Sequence, residues 1–142
     1  MIISAPGYKT GNTSSMAELV DVYPTISKLV GFDFPDEVQG KSLLPVMKDP
    51  KAQVRLLALT INKNGMAIRG DEWAYMRYSD QSEELYSMSY DPNQFENVAS
   101  SKKVQDVLND HRLALELRIN EHGLTMKQAK KKKQSKQKTQ NQ

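Results

Sequence analysis

The hydrophobic pattern of this 142-residue chain changes its period near Val54, and that change limits the fold class. Before Val54 apolar residues recur at helical spacing, whereas "MAIRG" and "EWAYMRYS" after it alternate between two faces, as half-buried strands do. From Ser101 to Glu121 the helical spacing returns, and Gly123 is placed to end that helix. With the short apolar segment "MIISAPG" in front, the order strand, helix, small antiparallel sheet, helix predicts an α+β fold.

The first helix is predicted over residues 15–30, with a short helical turn in "KSLLPVMKD" further on. Ser15 and Glu18 have the spacing of a capping box, in which two side chains satisfy each other's backbone N–H groups. Pro24 falls inside the pattern and should kink or restart the helix, and Gly31 suits its end. The apolar positions of this helix are Met16, Leu19, Val20, Tyr23, Ile26 and Val30.

The segment "EWAYMRYS" also carries the strongest candidate binding residues. Alternation puts Trp73, Tyr75 and Arg77 on one strand face, and aromatic planes beside a guanidinium suit the flat faces of a sugar. With Arg69 from the preceding strand, Trp73 and Arg77 form a candidate substrate rim. The alternative is a sheet face that simply packs under the terminal helix. The run "VRLLALTI" is predicted to be a buried strand, and the Asp-Pro-Asn of "YDPNQFEN" a turn.

Groups that could perform chemistry are scarce in this sequence. Cysteine is absent, which excludes disulfides, thiolate metal sites and a cysteine nucleophile. His111 and His122 are three helical turns apart and cannot share an ion, and His111 fits the edge of a core. Asp21 has no evident acid or base partner, so a solvated or capping role is expected. No phosphate-binding glycine loop, nucleophile elbow or HExxH motif occurs, so no catalytic or metal site is predicted.

The basic character of the chain comes from its last residues. Residues 127–142, "KQAKKKKQSKQKTQNQ", hold seven lysines and no acid, and without them the formal charge of +3 becomes −4. Such a tract cannot bury apolar surface and is predicted to be disordered. An interaction module whose polybasic tail binds nucleic acid or another polyanion is the alternative function. Against nucleic acid, the tail has no Arg and no aromatic residue to stack on bases.

Three segments together resemble the type I sulfatases, of the alkaline-phosphatase-like superfamily. "MIISAPG" resembles their P-L-I-x-x-x-P-G strand and turn. "ELVDVYPTISKLVGFDFPDEVQGKSLLPVMKDP" is similar to L-V-D-[LIV]-[YF]-P-T-L-x-x-L-x-G with its following K-D-P. "GMAIRGDEWAYMRYSDQSEELYSMSYDPNQFENVAS" resembles the late hairpin S-I-R-T-x-x-Y-R-Y and E-L-Y-D-x-x-x-D-P-x-E-x-x-N-L-A. The segment "QGKSLLPVMKDP" most resembles that of bacterial iduronate-2-sulfatase-like members.

This resemblance implies that the chain is the C-terminal portion of a longer sulfuric ester hydrolase acting on sulfated carbohydrate. It assigns residues 1–50 to the last strand and helix of the large α/β domain, 51–126 to the C-terminal subdomain and 127–142 to the tail. Family members carry a formylglycine made from a Cys/Ser-x-Pro-x-Arg motif, and a calcium ion held by acidic ligands. This sequence has neither motif, so no cofactor is expected in it and the missing N-terminal sulfatase domain is the implied partner.

Several departures and expectations accompany the resemblance. The family's S-I-R-T is "AIRG" here, its Asp after E-L-Y is Ser87, and the Lys/Gln tail is not a family feature. Since the first strand lacks parallel neighbours, we expect the helix at 15–30 to expose an apolar stripe in the isolated chain. No apolar run is long enough for a membrane span. Family members are usually exported, whereas "MIISAPGYKT" lacks the basic lead of a signal peptide, so the compartment stays open.

Overall fold

The computed structural model describes residues 1–121 and residue 123, which divide between two compact units, Met1–Ala58 and Leu59–Gln142. The predicted disordered tail at 127–142 and His122 lie outside the described residues. No helix in the described part of the chain is both long and apolar enough to cross a bilayer.

Helix α1 of the first unit spans Val22–Leu29 and is preceded by a 3₁₀ turn at Leu19–Asp21. The predicted start at Ser15 is therefore wrong. The hydroxyl of Ser15 instead accepts a hydrogen bond from the backbone N–H of Val54, at 3.2 Å. Pro24 lies in the first turn of α1, where backbone N–H groups have no acceptor within the helix, so the lack of an N–H in proline costs no helical hydrogen bond. The predicted restart of the helix is therefore confirmed.

Helix α1 ends as the sequence predicts, at Gly31. This residue has φ of +80°, and the N–H of Phe32 donates to the carbonyl of Ser27 at 2.9 Å, which is the Schellman arrangement. The connector then leads to the short helix α2, Leu44–Lys48, as predicted. Gly40 of the connector lies so close to the 3₁₀ turn that a Cβ there would be 2.0 Å from the carbonyl oxygen of Val20.

The strand predicted in "MIISAPG" is not formed in the structure. Residues 1–5 have no regular secondary structure, although the predicted turn follows at Pro6–Gly7, with Gly7 at φ of +83°. The reason is that a strand needs a hydrogen-bonding neighbour, and none of the described residues pairs with this segment. Ile2 is accordingly 99% exposed.

The second unit contains a four-stranded sheet in the order β1-β2-β3-β4. Its strands are β1 Ala58–Ile61, β2 Gly65–Arg69, β3 Trp73–Tyr78 and β4 Glu83–Ser87. The β2–β3 and β3–β4 pairs are antiparallel, which confirms the predicted hairpins. The predicted buried strand at 54–61 is only partly correct, because β1 begins at Ala58 and Leu56 is 75% exposed.

One part of the core of this second unit lies between the sheet and helix α3, Gln105–Glu121, and a second buried cluster of Ala74, Tyr86 and Met88 lies on the opposite sheet face. Ile68, Tyr75 and Leu85 are directly paired across β2, β3 and β4, and all three are fully buried. From α3, the buried side chains are Leu108, Leu115 and Ile119. Ser101 caps the 3₁₀ turn Lys102–Val104 that precedes α3, and Gly123 follows its end with φ of +61°, as predicted.

The segment after β4 covers the edge of that strand. The side chain of Asn97 accepts from the N–H of Leu85 at 3.0 Å and donates to the carbonyl of Glu83 at 3.1 Å. The N–H of Val98 then donates to the carbonyl of Leu85 at 2.9 Å. These bonds satisfy backbone groups that an edge strand would otherwise leave open. The predicted Asp-Pro-Asn turn lies just before them, with the Asp91 carboxylate accepting from the N–H of Glu96.

Candidate functional site

The predicted substrate rim is divided between the two faces of the sheet. In antiparallel strands directly paired residues share a face, and Arg69 pairs with Ala74. Arg69 is therefore on the face opposite that of Trp73 and Arg77, and its side chain is exposed. The structure brings Trp73 and Arg77 onto one face but does not bring Arg69 to them.

The face that carries Trp73 and Arg77 packs against α3. Tyr75, between them on the strand, is fully buried, and its ring meets that of His111 edge to face with centroids 6.5 Å apart. The guanidinium of Arg77 is largely buried and lies 2.7 Å from a carboxylate oxygen of Glu116 on α3. The alternative prediction of a sheet face packed under the terminal helix is thus confirmed, as is the core-edge position of His111. A substrate-rim role for Arg69, Trp73 and Arg77 stays a prediction.

An ion pair that the sequence analysis missed joins β4 to α3. Arg112 donates through Nε to Glu83 at 2.8 Å and through a second nitrogen to the other carboxylate oxygen, and the Tyr75 hydroxyl donates to the same carboxylate. The bonds from Arg112 hold the pKa of Glu83 down at about 2. Burial, followed by the hydrogen bond to Glu83, raises the pKa of Tyr75. This cluster is a brace between sheet and helix, because its donors and acceptors are satisfied by one another.

A second missed cluster organises the first unit around Asp21, which is fully buried. One carboxylate oxygen accepts from the N–H of Glu18 and the other from the N–H of Lys41, each at 2.7 Å. Arg55, itself buried, donates to the second oxygen, and its Nη1 lies 2.7 Å from the Glu18 carboxylate. The expected solvated role of Asp21 is therefore wrong, whereas its capping role is confirmed.

The two buried charged residues, Asp21 and Arg55, can each be recognised in the sequence as a charge within an apolar pattern. Asp21 interrupts a helical apolar pattern, and Arg55 interrupts the apolar run "VRLLALTI". A charge inside an apolar run is seldom buried without a partner, so two such charges of opposite sign are candidates for each other. Their separation of 34 positions is what kept local pattern analysis from pairing them.

The outer face of α1 is apolar and exposed, as the sequence predicts. Tyr23 is 55% exposed, Ile26 54% and Val30 59%, and Leu19 in the preceding turn is 83% exposed. The buried positions of the same helix are Pro24, Thr25 and Ser27. The buried hydroxyl of Thr25 makes two hydrogen bonds: it donates to the carbonyl of Asp21 at 2.6 Å and accepts from the N–H of Leu43 at 2.9 Å. The polarity of this helix is the reverse of that of an ordinary surface helix.

No metal centre can be assembled from the described residues. Among residues 1–121 and 123, no three His, Asp or Glu side chains lie close enough together to hold an ion. The sequence has no Cys and no Ser-x-Pro-x-Arg motif from which a formylglycine could arise. The residues present therefore do not fit the calcium or the formylglycine that the resemblance implies for longer family members.

The described residues form a four-stranded sheet braced by helix α3, and a separate unit whose helix α1 exposes an apolar face. Residues 1–121 match the family described as N-sulphoglucosamine sulphohydrolase, C-terminal. The chain belongs to this family of sulfatase C-terminal domains, and the resemblance to type I sulfatases is confirmed.

Individual relatives agree with this assignment. Arylsulfatase K of Homo sapiens is 28% identical over 116 residues, covering 70% of this chain and 22% of the relative. The Delta 4,5-hexuronate-2-O-sulfatase of Bacteroides thetaiotaomicron is 29% identical over 107 residues, covering 68% of this chain and 22% of the relative. The structure of a 2-O GAG sulfatase superposes with a TM-score of 0.63 at 28% identity, covering 72% of this chain and 24% of that chain. The chain thus spans less than a quarter of the length of these relatives.

Proposed function

We propose that this chain serves as the C-terminal, non-catalytic part of a sulfatase that hydrolyses sulfate esters of a sulfated carbohydrate. The observation that carries the proposal is the family match over residues 1–121. Two relatives support the substrate class, since one is a Delta 4,5-hexuronate-2-O-sulfatase and another a 2-O GAG sulfatase. Their names favour an iduronate-2-sulfatase-like substrate, a uronic acid sulfated at its 2-position.

The chemistry of the proposed enzyme lies outside these residues. The nucleophile and the metal that the resemblance implies would be supplied by an N-terminal catalytic domain, which is the proposed partner. The charged clusters described here do not substitute for them, because Asp21 and Glu83 are each held by a guanidinium. A carboxylate whose pKa is held at about 2, as that of Glu83 is, makes a poor general acid or base near neutral pH.

The test is an assay of the purified 142-residue chain on 4-nitrophenyl sulfate and on a 2-O-sulfated unsaturated uronic acid disaccharide. No sulfate release is expected from the chain alone. Hydrolysis that persists after metal chelation would contradict the non-catalytic assignment. The same assay on the chain fused behind the catalytic part of a relative should show sulfate release.

The predicted rim can be tested through Trp73, the single tryptophan of the chain. Titration with a sulfated oligosaccharide should change its fluorescence if Trp73 and Arg77 contact the ligand. Arg77→Lys should weaken that response, because Lys cannot present a planar fork to a sulfate group. Arg69→Lys is the matched control, since Arg69 is on the other sheet face. Equal weakening by both changes would require a ligand that reaches both faces.

A further inference from the structure

We propose that Asn64 is a site of spontaneous covalent modification, deamidation to aspartate and isoaspartate, which the side chain of Asn62 restrains in the folded chain. Asn64 is followed by Gly65, and this is the one Asn-Gly pair in the sequence. Both asparagines are exposed in the turn that joins β1 to β2, so water reaches them. The reaction does not depend on the proposed function, because its reactants are the turn itself and water.

The reaction consists of an attack within the chain followed by hydrolysis. The backbone nitrogen of Gly65 attacks the side-chain carbonyl carbon of Asn64, and the bond from that carbon to Nδ2 breaks. Nδ2 leaves as ammonia and carries away the proton that the nitrogen of Gly65 gives up, so that a cyclic succinimide remains. Water then opens the ring at the side-chain carbonyl to give aspartate, or at the backbone carbonyl to give isoaspartate. The main chain of isoaspartate runs through the former side-chain carbon.

The fold requires the glycine that makes this attack easy. A side chain at position 65 would shield the attacking nitrogen, whereas glycine has none. A Cβ at Gly65 would lie 2.6 Å from the carbonyl oxygen of Arg77 and 3.0 Å from the Cα of Tyr78 on β3. Gly65 is also the direct partner of Tyr78 in the sheet, so β2 cannot make room for a Cβ without giving up this pairing. The susceptible Asn-Gly pair is therefore built into the contact between β2 and β3.

Hydrogen bonds on both sides of Asn64 restrain the attack. The N–H of Gly65 donates to Oδ1 of Asn62 at 3.0 Å, and this proton must leave the nitrogen in the reaction. The same oxygen accepts from the N–H of Asn64 at 2.7 Å, and the carbonyl of Asn64 accepts from the N–H of Ser79 at 2.7 Å. Attack requires the side-chain carbon of Asn64 and the nitrogen of Gly65 to align, and these bonds fix the peptide groups on either side of Asn64. Asn62 therefore slows the reaction by holding two of the N–H groups of the turn.

Modification would disturb the sheet beside the turn. Isoaspartate lengthens the main chain between Asn62 and Gly65, a span that the N–H of Asn62 closes by donating to the carbonyl of Gly65 at 3.0 Å. It also converts the carbonyl of Asn64, the acceptor for Ser79, into a free carboxylate that the main chain no longer passes through. The amides of Asn62 and Ser79 should therefore exchange their hydrogens faster in the isoaspartate form.

The experiment incubates the 142-residue chain in mildly alkaline buffer and follows aspartate and isoaspartate at position 64 by peptide mapping with mass spectrometry. The unaltered chain is compared, folded and in urea, with the folded variants Asn62→Ala, Asn62→Ser and Asn62→Asp. Asn93 is the internal control, because it is exposed in a turn as Asn64 is but is followed by Gln94. The unfolding temperature of each variant is measured through Trp73 fluorescence.

We expect Asn64 to be modified before Asn93, and more slowly in the folded chain than in urea. Asn62→Ala should speed the reaction in the folded chain about threefold or more, because two N–H groups lose their acceptor. Asn62→Ser should have a smaller effect, because a hydroxyl accepts the same turn hydrogen bonds more weakly. Asn62→Asp keeps the acceptor oxygen, so its rate should stay within about twofold of that of the unaltered chain.

Three results would overturn the proposal. Modification of Asn93 before Asn64 would remove the site, and equal rates at Asn64 in the folded chain and in urea would remove the restraint. A folded Asn62→Ala variant that reacts no faster than the unaltered chain would remove the role of Asn62. If Asn62→Ala does not fold, Asn62→Ser and Asn62→Asp decide, because the restraint requires the serine variant to react faster than the aspartate variant.

Discussion

The two units of this chain distribute polar and apolar side chains in opposite ways. In the second unit Ile68, Tyr75 and Leu85 meet across three strands with no exposed surface. In the first unit the fully buried residues at the start of α1 include Asp21 and Thr25, while Ile26 and Val30 face outward. The second unit has an apolar core of its own, whereas the first is organised by hydrogen bonds and an ion pair.

This difference bears on what each unit can do alone. Apolar burial is the main source of folding free energy, and a buried ion pair contributes little net stability although it fixes one arrangement of its partners. The second unit therefore has the means of independent stability. The first unit has a defined conformation in which apolar residues on the outer face of α1 are exposed.

The largest loss of stability is expected from removing the guanidinium of Arg55 in the first unit. Arg55→Met leaves the Asp21 carboxylate buried without its guanidinium, and breaking a buried pair in this way costs about 3–5 kcal/mol. Hydrogen exchange should show loss of protection in α1, with the strands of the second unit unaffected.

The double variant Asp21→Asn with Arg55→Met sharpens this prediction. It removes both charges, so protection of α1 should return in part. If Arg55→Met alone left α1 fully protected, the view that the first unit is organised by its polar cluster would have to be abandoned.

The second unit should respond instead to loss of apolar volume. Leu115→Ala removes a fully buried side chain between α3 and the sheet, and such changes cost about 2–5 kcal/mol. Leu113→Ala on the same helix is the matched control, because this leucine is 61% exposed and its truncation should change stability by less than about 0.5 kcal/mol. Urea unfolding followed by Trp73 fluorescence measures both, and equal effects would contradict the position of the core.

The features of the fold that could be predicted from the sequence are those that depend on residues close together along the chain. The hairpins, the Asp-Pro-Asn turn and the Gly31 helix end depend on alternation and on residues within a few positions of one another, and all of them were predicted. The start of α1 was misplaced because Val54, 39 positions away, binds the Ser15 hydroxyl. The strand predicted in "MIISAPG" is not formed, because none of the described residues pairs with this segment, and apolar pattern alone does not show whether a strand has a pairing partner.

The candidate site was predicted less well, for a related reason. The alternation within β3 correctly predicted that Trp73 and Arg77 share one face of the sheet. The position of Arg69 depends on the register between β2 and β3, which the strand pattern alone does not give, and this register puts Arg69 on the other face. The clusters around Asp21 and Glu83 join residues 34 and 29 positions apart. Ion pairs between distant elements have no local signature beyond the presence of a charge in an apolar run.

A smaller effect is expected from pH through Glu83 of the second unit. The pKa of Glu83 is lowered from an ordinary value of 4.5 to about 2, so the folded state favours its ionised form. The resulting stabilisation is complete above pH 4.5 and is lost as the pH falls through about 2. Since Arg112 is 41% exposed, solvent screening reduces this contribution to about 1 kcal/mol.

Glu83→Gln tests this contribution. The free energy of unfolding of the variant should lie about 1 kcal/mol below that of the unaltered chain at pH 6, and the gap should narrow towards pH 2. Glu84→Gln is the control, because Glu84 accepts from the Tyr78 hydroxyl at 2.8 Å and has no guanidinium in that bond. A gap that stays constant with pH would mean that the Glu83–Arg112 pair is not formed in solution.

The smallest effect separates the two units most directly. Ile26→Thr shortens an apolar side chain on the outer face of α1, where more than half of it is exposed in the chain alone. Its effect on the free energy of unfolding of the isolated chain should be below about 0.5 kcal/mol. Ile68→Thr makes the same change at a fully buried position in β2 and should cost about 2–4 kcal/mol, because it removes packed volume and buries a hydroxyl. A comparable loss at both positions, measured by urea unfolding, would show that Ile26 is packed within the chain. An apolar residue that contributes nothing to the stability of its own chain is free to contribute to the stability of a complex. Comparing Ile26→Thr with Ile68→Thr measures whether Ile26 is such a residue.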